Sequence, residues 1–409
     1  MAEKEELKYK IIFLLIFIVV TFTAEFFYRH PLFDNSVKIA KKLQDALEFT
    51  IKPFKAYTYI AKIDYYWLIL IILFFPVQYS YTFFLAQVVE MHVCNIAKVI
   101  YGQARPFLLP GGEDIRQACE KSYGNPSGHS FGTTTCYLGL CQLVIDYYKL
   151  KNPISAILYA VTAFIIVTVN FSRVVLGVHS FNQVIFGDTF GFTLFFIIYH
   201  IIQPHKRKVK IFFDRFTNIP YLILNAICFC FVIGYIFLAN YLFNREDENS
   251  YKKLLKKLED QCDGKPYKIL TRKSISKTFY ITGYFGMVIG MALFSRIITR
   301  KYNSRYKEAN NYQLKPKQIW YISLPIRVVL LAISYVPFIV MKFVFHNTED
   351  IYFNYIVEKA LPMFFFGFLL FGPYLIFNVF LGIANRGLYN QELTSTIKDG
   401  DYLLGEEDK

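Results

Sequence analysis

Two apolar runs joined by a short polar segment decide the fold of this chain: PISAILYAVTAFIIVTVNF at 153–171, SRVVLGVHS at 172–180 and FNQVIFGDTFGFTLFFIIYHII at 181–202. A helix needs about 20 consecutive apolar residues to cross the hydrocarbon core of a bilayer, and each run has about that length. The pair therefore predicts two membrane-spanning helices, with the segment 172–180 exposed at one membrane face.

Similar runs recur along the 409 residues, of which 55% are hydrophobic and 19% aromatic. They lie at 11–27, 65–85, 130–148, 153–171, 181–202, 219–243, 278–298, 319–345 and 360–384. We therefore predict an all-α polytopic membrane helix bundle with about nine transmembrane helices. The first run is kept as a span rather than a cleaved signal, because its flank is charge-balanced and no small-residue cleavage site follows it.

The formal net charge of +14 does not indicate a nucleic-acid-binding protein. Lys and Arg lie in the loops between apolar runs, so we interpret them as topology signals and lipid headgroup contacts. If the spans alternate, loops 90–125 and 172–180 share the side of the N-terminus. The opposite side is then predicted to be cytosolic because it carries basic loops, at 149–151, 206–215 and 300–317. The loop 245–277 is also basic but falls on the predicted outer side, which argues against this assignment.

Segments outside the spans give less information about fold and function. In 36–49, apolar residues recur at helical spacing with lysines between them, which predicts an amphipathic helix flat on the membrane interface. These residues are Val37, Ala40, Leu43 and Leu47. The acidic tail 386–409 has little apolar content and is predicted to be disordered. Cys119 and Cys262 fall in loops on the same predicted side, and sequence alone leaves their pairing open.

Lys98 and Arg105 form the first of three polar motifs, in the stretch KVIYGQARP. Seven residues on a helix turn through about 700°, so both cations would point the same way. Pro106 disfavours helix at the residue before it, which would leave the Arg105 guanidinium free to bind oxygen atoms in pairs. Taken alone, such a pair is more often a basic helix end that reaches toward lipid headgroups.

The second motif is Ser127-Gly128-His129, directly before the run 130–148. Glycine allows close backbone approach, and the helix that starts here offers unpaired N–H groups and a positive dipole end to an anion. Ser127 adds a hydroxyl donor. Alone, this triplet would more often be a plain helix cap.

The third motif is Arg173 with His179, at the mouth of the run 181–202. Charged groups at the end of a membrane helix are costly unless they are paired or hydrated, so they indicate a functional site. Lys98, Arg105 and Arg173 together would surround a dianionic phosphate with positive charge. No acidic cluster of the metal-ligand type accompanies them, so we expect neither a metal ion nor another cofactor.

The order and spacing of the motifs resemble the signature of the phosphatidic acid phosphatase type 2 superfamily, which includes lipid phosphate phosphatases, glucose-6-phosphatase and vanadium haloperoxidases. That signature is Lys98, six residues and Arg105-Pro106, then Pro126-Ser127-Gly128-His129, then Ser172-Arg173, five residues and His179. The resemblance covers 98–191. We predict four parts of the chain: an N-terminal span and interfacial amphipathic helix at 1–63, a phosphatase core carrying the three motifs at 64–203, additional transmembrane helices at 204–385 and the tail at 386–409.

The resemblance also implies a role for each motif residue. His179 would be the nucleophile that forms a phosphohistidine, and His129 the acid that protonates the departing alcohol before it activates water. Arg173 would act with them as a catalytic residue. The phosphoryl oxygens would be held by Lys98, Arg105, Ser127, Gly128 and Arg173.

One position departs from the family pattern. Many members carry Asp four residues after the nucleophilic His, where this chain has Gln183. Four residues turn a helix through about 400°, which puts Gln183 near the His179 side, whereas Asp188 lies about 180° away. Gln183 can orient His179 by accepting its N–H but brings no charge. Glucose-6-phosphatase also has Gln at this place, so the change does not imply an inactive enzyme.

From these features we expect a metal-independent membrane phosphomonoesterase acting on phosphatidate, lysophosphatidate or sphingoid-base phosphates. Two alternatives stay open: a glucose-6-phosphatase-like sugar phosphatase, and a non-catalytic structural or lipid-binding subunit of a membrane assembly. Membrane lipids are the expected partners, nucleic acid is not, and an oligomer or larger assembly stays open. The site is expected to face the lumen or exterior, in the endoplasmic reticulum or another endomembrane.

Overall fold

The computed structural model describes most of the N-terminal half and parts of the C-terminal half. The described residues are 2–47, 53–54, 64–75, 77–112, 115, 122–202, six separate positions between 223 and 237, 277–306, 320–344, 356–374 and 376. Within them all regular structure is helical, which confirms the all-α class. Cys119, Cys262 and the tail 386–409 lie outside the described residues.

Ten α-helices follow one another in the described part of the chain. They are α1 (Ala2–Asp34), α2 (Ser36–Ala46), α3 (Asp64–Phe74), α4 (Val77–Tyr101), α5 (Gly128–Tyr148), α6 (Asn152–Val175), α7 (Phe181–Phe195), α8 (Thr282–Tyr306), α9 (Trp320–Val344) and α10 (Leu361–Phe371). A 3-10 turn follows α4 at Pro106–Leu108, and a π-helical segment, Phe196–Ile202, extends α7.

Four of the described helical segments are long and apolar enough to cross a membrane. They are Glu5–Asp34, Tyr79–Leu108, Asn152–Val175 and Phe181–Ile202. Shorter apolar helices at Phe279–Phe294, Leu324–Val336 and Leu361–Phe371 coincide with the last three predicted runs. The count of nine spans stays a prediction, because most of the run 219–243 lies outside the described residues.

The run 65–85, predicted as one span, is two helices. α3 ends at Phe74 and α4 begins at Val77, with Pro76 between them in the sequence. Phe75 and Tyr79 both contact the ring of Tyr147 at the end of α5, whereas Trp67 contacts Tyr137, about three turns earlier on that helix. The chain therefore reverses direction between α3 and α4.

This reversal places the N-terminus on the side opposite to the polar motifs. α1 runs antiparallel to α7, since Phe13 contacts Phe196 and Phe22 contacts Phe186. α7 begins next to the third motif, and we call the side where α4 ends and α5 and α7 begin the motif face. The expectation that the motif loops share the side of the N-terminus was therefore wrong, because it counted 65–85 as a single crossing.

The amphipathic segment predicted at 36–49 is helical over Ser36–Ala46, at the motif face. Its buried positions are Ser36, Ala40 and Gln44, spaced four residues apart, and of the apolar set that predicted the helix only Ala40 is among them. Gln44 Nε2 donates a hydrogen bond of 2.9 Å to the carbonyl of Val175, the last residue of α6. α2 thus docks on the end of the helix that carries Arg173.

Candidate active site

The first motif is built by a helix end rather than by one continuous helix. α4 ends at Tyr101, and Gly102 follows with φ +52°, in the left-handed region that favours glycine. Arg105 is extended, with φ −91° and ψ 155°, just before Pro106. The predicted helix break is confirmed. The predicted alignment of Lys98 and Arg105 on a single helix was wrong, because the helix stops between them.

The guanidinium of Arg105 is buried and bonded to protein groups on both sides. Nε donates to Ser122 O at 2.6 Å, and Nη2 donates to Ser122 Oγ at 3.0 Å and to Tyr123 O at 3.3 Å. Nη1 donates to Val178 O at 2.9 Å and to His179 Nε2 at 3.0 Å. The expectation of a guanidinium free to bind oxygens was therefore wrong for this state. Arg105 instead ties the segment before α5 to the segment before α7.

The two ring nitrogens of His179 have opposite hydrogen-bonding roles. Arg105 can only donate, so Nε2 must accept and the ring proton lies on Nδ1. Nδ1 donates to Gln183 Oε1 at 3.1 Å. This arrangement is the neutral tautomer with the Nε2 lone pair directed toward the guanidinium. Nε2 is therefore the nitrogen available to attack an electrophile.

Electrostatics keep the buried His179 in this neutral form. The pKa of His179 lies well below its ordinary value, and burial, which disfavours the charged ring, is the largest cause. The remaining causes are nearby positive charges, namely Arg105, Arg173, Lys98 and His129 in decreasing order. The same field that would attract a phosphate dianion therefore keeps the imidazole unprotonated while the phosphate is absent.

Gln183 is fully buried, and its amide orientation is set by its neighbours. Nε2 donates to Ala104 O at 2.8 Å and to Gln103 Oε1 at 3.2 Å, which turns Oε1 toward His179. Ser180 and Gln183 also form a capping box at the start of α7, with Ser180 N donating to Oε1 at 3.4 Å. The amide lies directly on Gly124, where a Cβ would approach it to 2.5 Å.

The second motif starts α5 and touches both of the others. Ser127 is the N-cap, and its Oγ accepts from Ser130 N at 3.4 Å. Its own N–H donates to Gln183 O at 2.8 Å, which joins the starts of α5 and α7. A Cβ at Gly128 would lie 3.5 Å from Lys98 Nζ, so the ammonium group lies over the first turn of α5. His129 is half-buried one residue later.

The structure brings all the sequence-predicted site residues to one place at the motif face. Arg173 is buried in the last turn of α6, and its carbonyl accepts from His179 N at 3.3 Å. Sequence reasoning missed Ser122, Gln103 and Gly124, which anchor Arg105 and Gln183. The only signal for them was a group of polar or small residues in loops beside the motifs. Within the described ranges, no group of three or more His, Cys, Asp or Glu is placed to hold a metal ion.

A known protein family matches the segment that carries the three motifs. The sequence profile described as the PAP2 superfamily matches residues 75–207, which contain all three motifs. Residues 75–207 are therefore similar to the PAP2 superfamily. The matched segment includes α4 to α7, whereas α1, α2 and the helices after residue 207 lie outside the match.

A curated relative of this chain is phosphatidylglycerophosphatase B of Bacillus subtilis (strain 168). It is 31% identical over 88 residues, which cover 22% of this chain and 43% of the relative. The match thus spans less than half the length of that relative. No solved structure matches the chain.

Proposed function

We propose that this protein is an integral membrane phosphatase that hydrolyses phosphate monoesters of lipids through a phosphohistidine on His179. The observation that carries the proposal is the state of His179. It is buried and neutral, its Nε2 accepts from Arg105 at 3.0 Å, and its Nδ1–H is held by Gln183. A nucleophilic imidazole needs an unprotonated nitrogen, an orienting acceptor behind it and positive charge in front of it.

In the first step, a phosphoryl oxygen takes the place of Nε2 as the acceptor for Arg105. The released Nε2 lone pair attacks phosphorus, and the bond from phosphorus to the ester oxygen breaks. His129, protonated at this stage, donates its proton to the departing oxygen, which leaves as an alcohol. The Nδ1–H bond to Gln183 stays in place and stabilises the ring as it gains positive charge.

In the second step, the neutral His129 takes a proton from water, and the hydroxide attacks the phosphorus of phosphohistidine. The bond from phosphorus to Nε2 breaks, inorganic phosphate leaves, and Arg105 can donate to Nε2 again. Lys98, Arg173 and the first turn of α5 stabilise the phosphoryl oxygens in both steps. This mechanism needs no metal ion.

Lipid phosphates are the preferred substrate class. The segment 75–207 matches a family of membrane phosphatases, and the Bacillus relative is a phosphatidylglycerophosphatase by name. Phosphatidate, lysophosphatidate and sphingoid-base phosphates all carry a monoester phosphate in the headgroup region of a bilayer, which a site at the ends of membrane-spanning helices could reach. Membrane lipids then supply the substrate and also surround the protein. No role is proposed for nucleic acid.

A water-soluble sugar phosphate is the second candidate. Gln183, the departure from the common family pattern, is also the residue that glucose-6-phosphatase has at this place, and here it holds His179 in the attacking tautomer. A non-catalytic subunit is the third reading. It is disfavoured because a protein without catalysis has no need to hold a buried neutral His against Arg105.

The motif face is proposed to be lumenal or exoplasmic, in an endomembrane such as the endoplasmic reticulum. The opposite side carries the N-terminal lysines Lys8 and Lys10 as well as Lys149 and Lys151 after α5. By the positive-inside rule this opposite side is cytosolic. Glu3, Glu5 and Glu6 balance the N-terminal lysines, so the assignment depends on the basic loop after α5 rather than on the N-terminus.

The proposal is tested by phosphate release from detergent-purified protein in the presence of EDTA, with lysophosphatidate, a sphingoid-base phosphate and glucose 6-phosphate compared. We expect release from the lipid substrates, insensitivity to EDTA and complete loss in His179→Ala. Release from the sugar phosphate alone would select the second candidate. Phosphate release that persists in His179→Ala would rule out His179 as the nucleophile. No release from any substrate would favour the non-catalytic interpretation.

A further inference from the structure

Asp188 is a carboxylate inside a candidate membrane span that takes no part in the chemistry above. It lies on α7, and both of its oxygens are bonded to other helices: Thr134 Oγ1 on α5 donates to Oδ1 at 2.6 Å, and Asn170 Nδ2 on α6 donates to Oδ2 at 2.5 Å. An ionisable group at membrane depth is costly, so one with specific partners indicates a functional role.

The three partners form one polar layer beneath the site. Thr134 is five residues after His129, Asn170 is three before Arg173, and Asp188 is five after Gln183. At a helical rise of about 1.5 Å per residue, the layer lies about 5–8 Å below the site on each helix. Each of the three helices that supply the layer also supplies residues to the site.

α5 and α7 are held together independently of Asp188. A Cβ at Gly187 would lie 2.6 Å from Ser127 O, and one at Gly191 would lie 2.8 Å from Phe131 O, so the two backbones are in direct contact. Thr135 Oγ1 adds a bond of 3.2 Å to Gly191 O. Loss of the bond between Thr134 and Asp188 should therefore change this pair of helices little.

α6 has a different environment. Its outer side is apolar and exposed, with Ile157, Phe164 and Val167 placed to face lipid. The bond from Asn170 to Asp188 is a polar link that joins α6 to α7 at the depth of the layer. Asn170 precedes Arg173 by about one helical turn. This link therefore holds the Arg173 end of α6 together with the contacts of Gln44 to Val175 O and of His179 N to Arg173 O.

From this geometry we infer that Asp188 is a positioning residue that acts through Asn170 and α6 to place Arg173 at the phosphate. The inference rests on the proposed function for the role of Arg173. Asp188 does not orient His179, because both of its carboxylate oxygens are bonded elsewhere and Gln183 accepts the Nδ1–H. It belongs to no motif, since it lies nine residues after His179.

The two arms of the layer provide a matched pair of variants. Asn170→Ala removes the arm to α6, and Thr134→Val removes the arm to α5 while leaving the glycine contacts. The readouts are kcat/KM for a lipid phosphate and the protection of purified protein against heat unfolding by inorganic phosphate. We expect Asn170→Ala to lower kcat/KM by about tenfold or more, and to raise the apparent Kd for phosphate, obtained from the heat-protection data, by the same factor. A tenfold change is equivalent to about 1.4 kcal/mol of lost coupling. Thr134→Val should change either by less than about threefold.

A double-variant comparison separates positioning from a general loss of structure. In an Arg173→Ala background, Asp188→Leu should cause no further loss of phosphate binding. In a Lys98→Ala background, Asp188→Leu should keep its full effect on phosphate binding. Asp188→Asn, which keeps the shape and can bond both partners after rotation of the Asn170 amide, should restore phosphate binding. Equal effects of Asn170→Ala and Thr134→Val, or an Asp188→Leu effect independent of Arg173, would overturn the inference.

The two readouts also distinguish this inference from the proposed function. If the parent protein binds inorganic phosphate but hydrolyses no ester, the proposed function fails while the binding comparison still tests Asp188. If the parent hydrolyses lipid phosphates and the two arm variants behave alike, the inference alone fails. A parent that neither binds phosphate nor hydrolyses esters would contradict both.

Discussion

Replacing Gln183 by Glu supplies the carboxylate that the common family pattern has at this position. We predict that this change lowers both the stability of the protein and its activity. In the structure the Gln183 amide N–H groups donate to Ala104 O at 2.8 Å and to Gln103 Oε1 at 3.2 Å. In Gln183→Glu an oxygen replaces that nitrogen and faces the same two acceptors. The site is fully buried, so water does not compensate for the lost donors.

The size of the effect follows from those two contacts. A buried polar group left without its partner costs about 1–3 kcal/mol, so two acceptors left without a donor should lower the free energy of unfolding by about 2–6 kcal/mol. Ionic attraction between the new carboxylate and a protonated His179 would offset part of this cost. The field that keeps His179 neutral limits that gain, so the net change remains destabilising and activity falls.

The assay is heat or denaturant unfolding of detergent-purified parent, Gln183→Glu and Gln183→Met at several pH values, paired with phosphate release. A protonated Glu side chain can again donate to Ala104 O, so its deficit relative to the parent should shrink as the pH falls toward its pKa. Gln183→Met, which removes donors and acceptor without charge, should be pH-independent relative to the parent. A Gln183→Glu protein as stable as the parent, or more active, would refute the reasoning.

Three further perturbations test other parts of the site. His179 has its pKa held well below about 6.5 in the folded state, so the unfolded chain binds a proton first as the pH falls. The free energy of unfolding should therefore drop by up to about 1.4 kcal/mol per unit below about pH 6.5, and less in His179→Phe; equal slopes would contradict this. Arg105→Lys cannot reproduce the five N–H contacts of the guanidinium, so loss of at least two charge-assisted bonds should cost about 3–6 kcal/mol. Stability within about 1 kcal/mol of the parent would contradict that estimate. Gly187→Ala would place its Cβ 2.6 Å from a backbone carbonyl and should cost about 1–3 kcal/mol with loss of activity, whereas Gly234→Ala, with nothing within 4 Å, should be neutral. Matching effects at both glycines would contradict the packing argument.

The helical class and the residues of the site were predictable because both depend on patterns that are local in sequence. Apolar runs of membrane length specify helices, and Pro106 specifies the end of one before Arg105. The direction of α3 was not predicted from hydropathy, because no charged residue interrupts the run 65–85 at the turn near Phe75. Pro76 was a sequence signal of the break there. That turn reverses the chain and explains why the N-terminus lies on the side of the bundle opposite to the motif face.

The contacts inside the site were less predictable, since they join residues far apart in the chain. Ser122 and Val178 are far from Arg105 in sequence. Nothing in the sequence therefore indicated that their backbone carbonyls would accept hydrogen bonds from its guanidinium. The capping box of Ser180 and Gln183 was visible in the sequence and would have explained part of the preference for an amide. The second role of that amide, which fixes the tautomer of His179, depends on Ala104 and Gln103 from another segment.

The central claim is that Nε2 of His179 takes up the phosphoryl group, and trapping the intermediate tests it most directly. His129→Ala protein mixed with p-nitrophenyl phosphate, whose leaving group needs no protonation, should form the intermediate but hydrolyse it slowly. After an alkaline quench, which preserves phosphohistidine, mass spectrometry of the proteolysed protein should find the phosphoryl group on the His179 peptide. It should be absent when His179 is also changed to Ala. Phosphorylation of a different residue, or nitrophenolate release with an unmodified His179, would contradict the account.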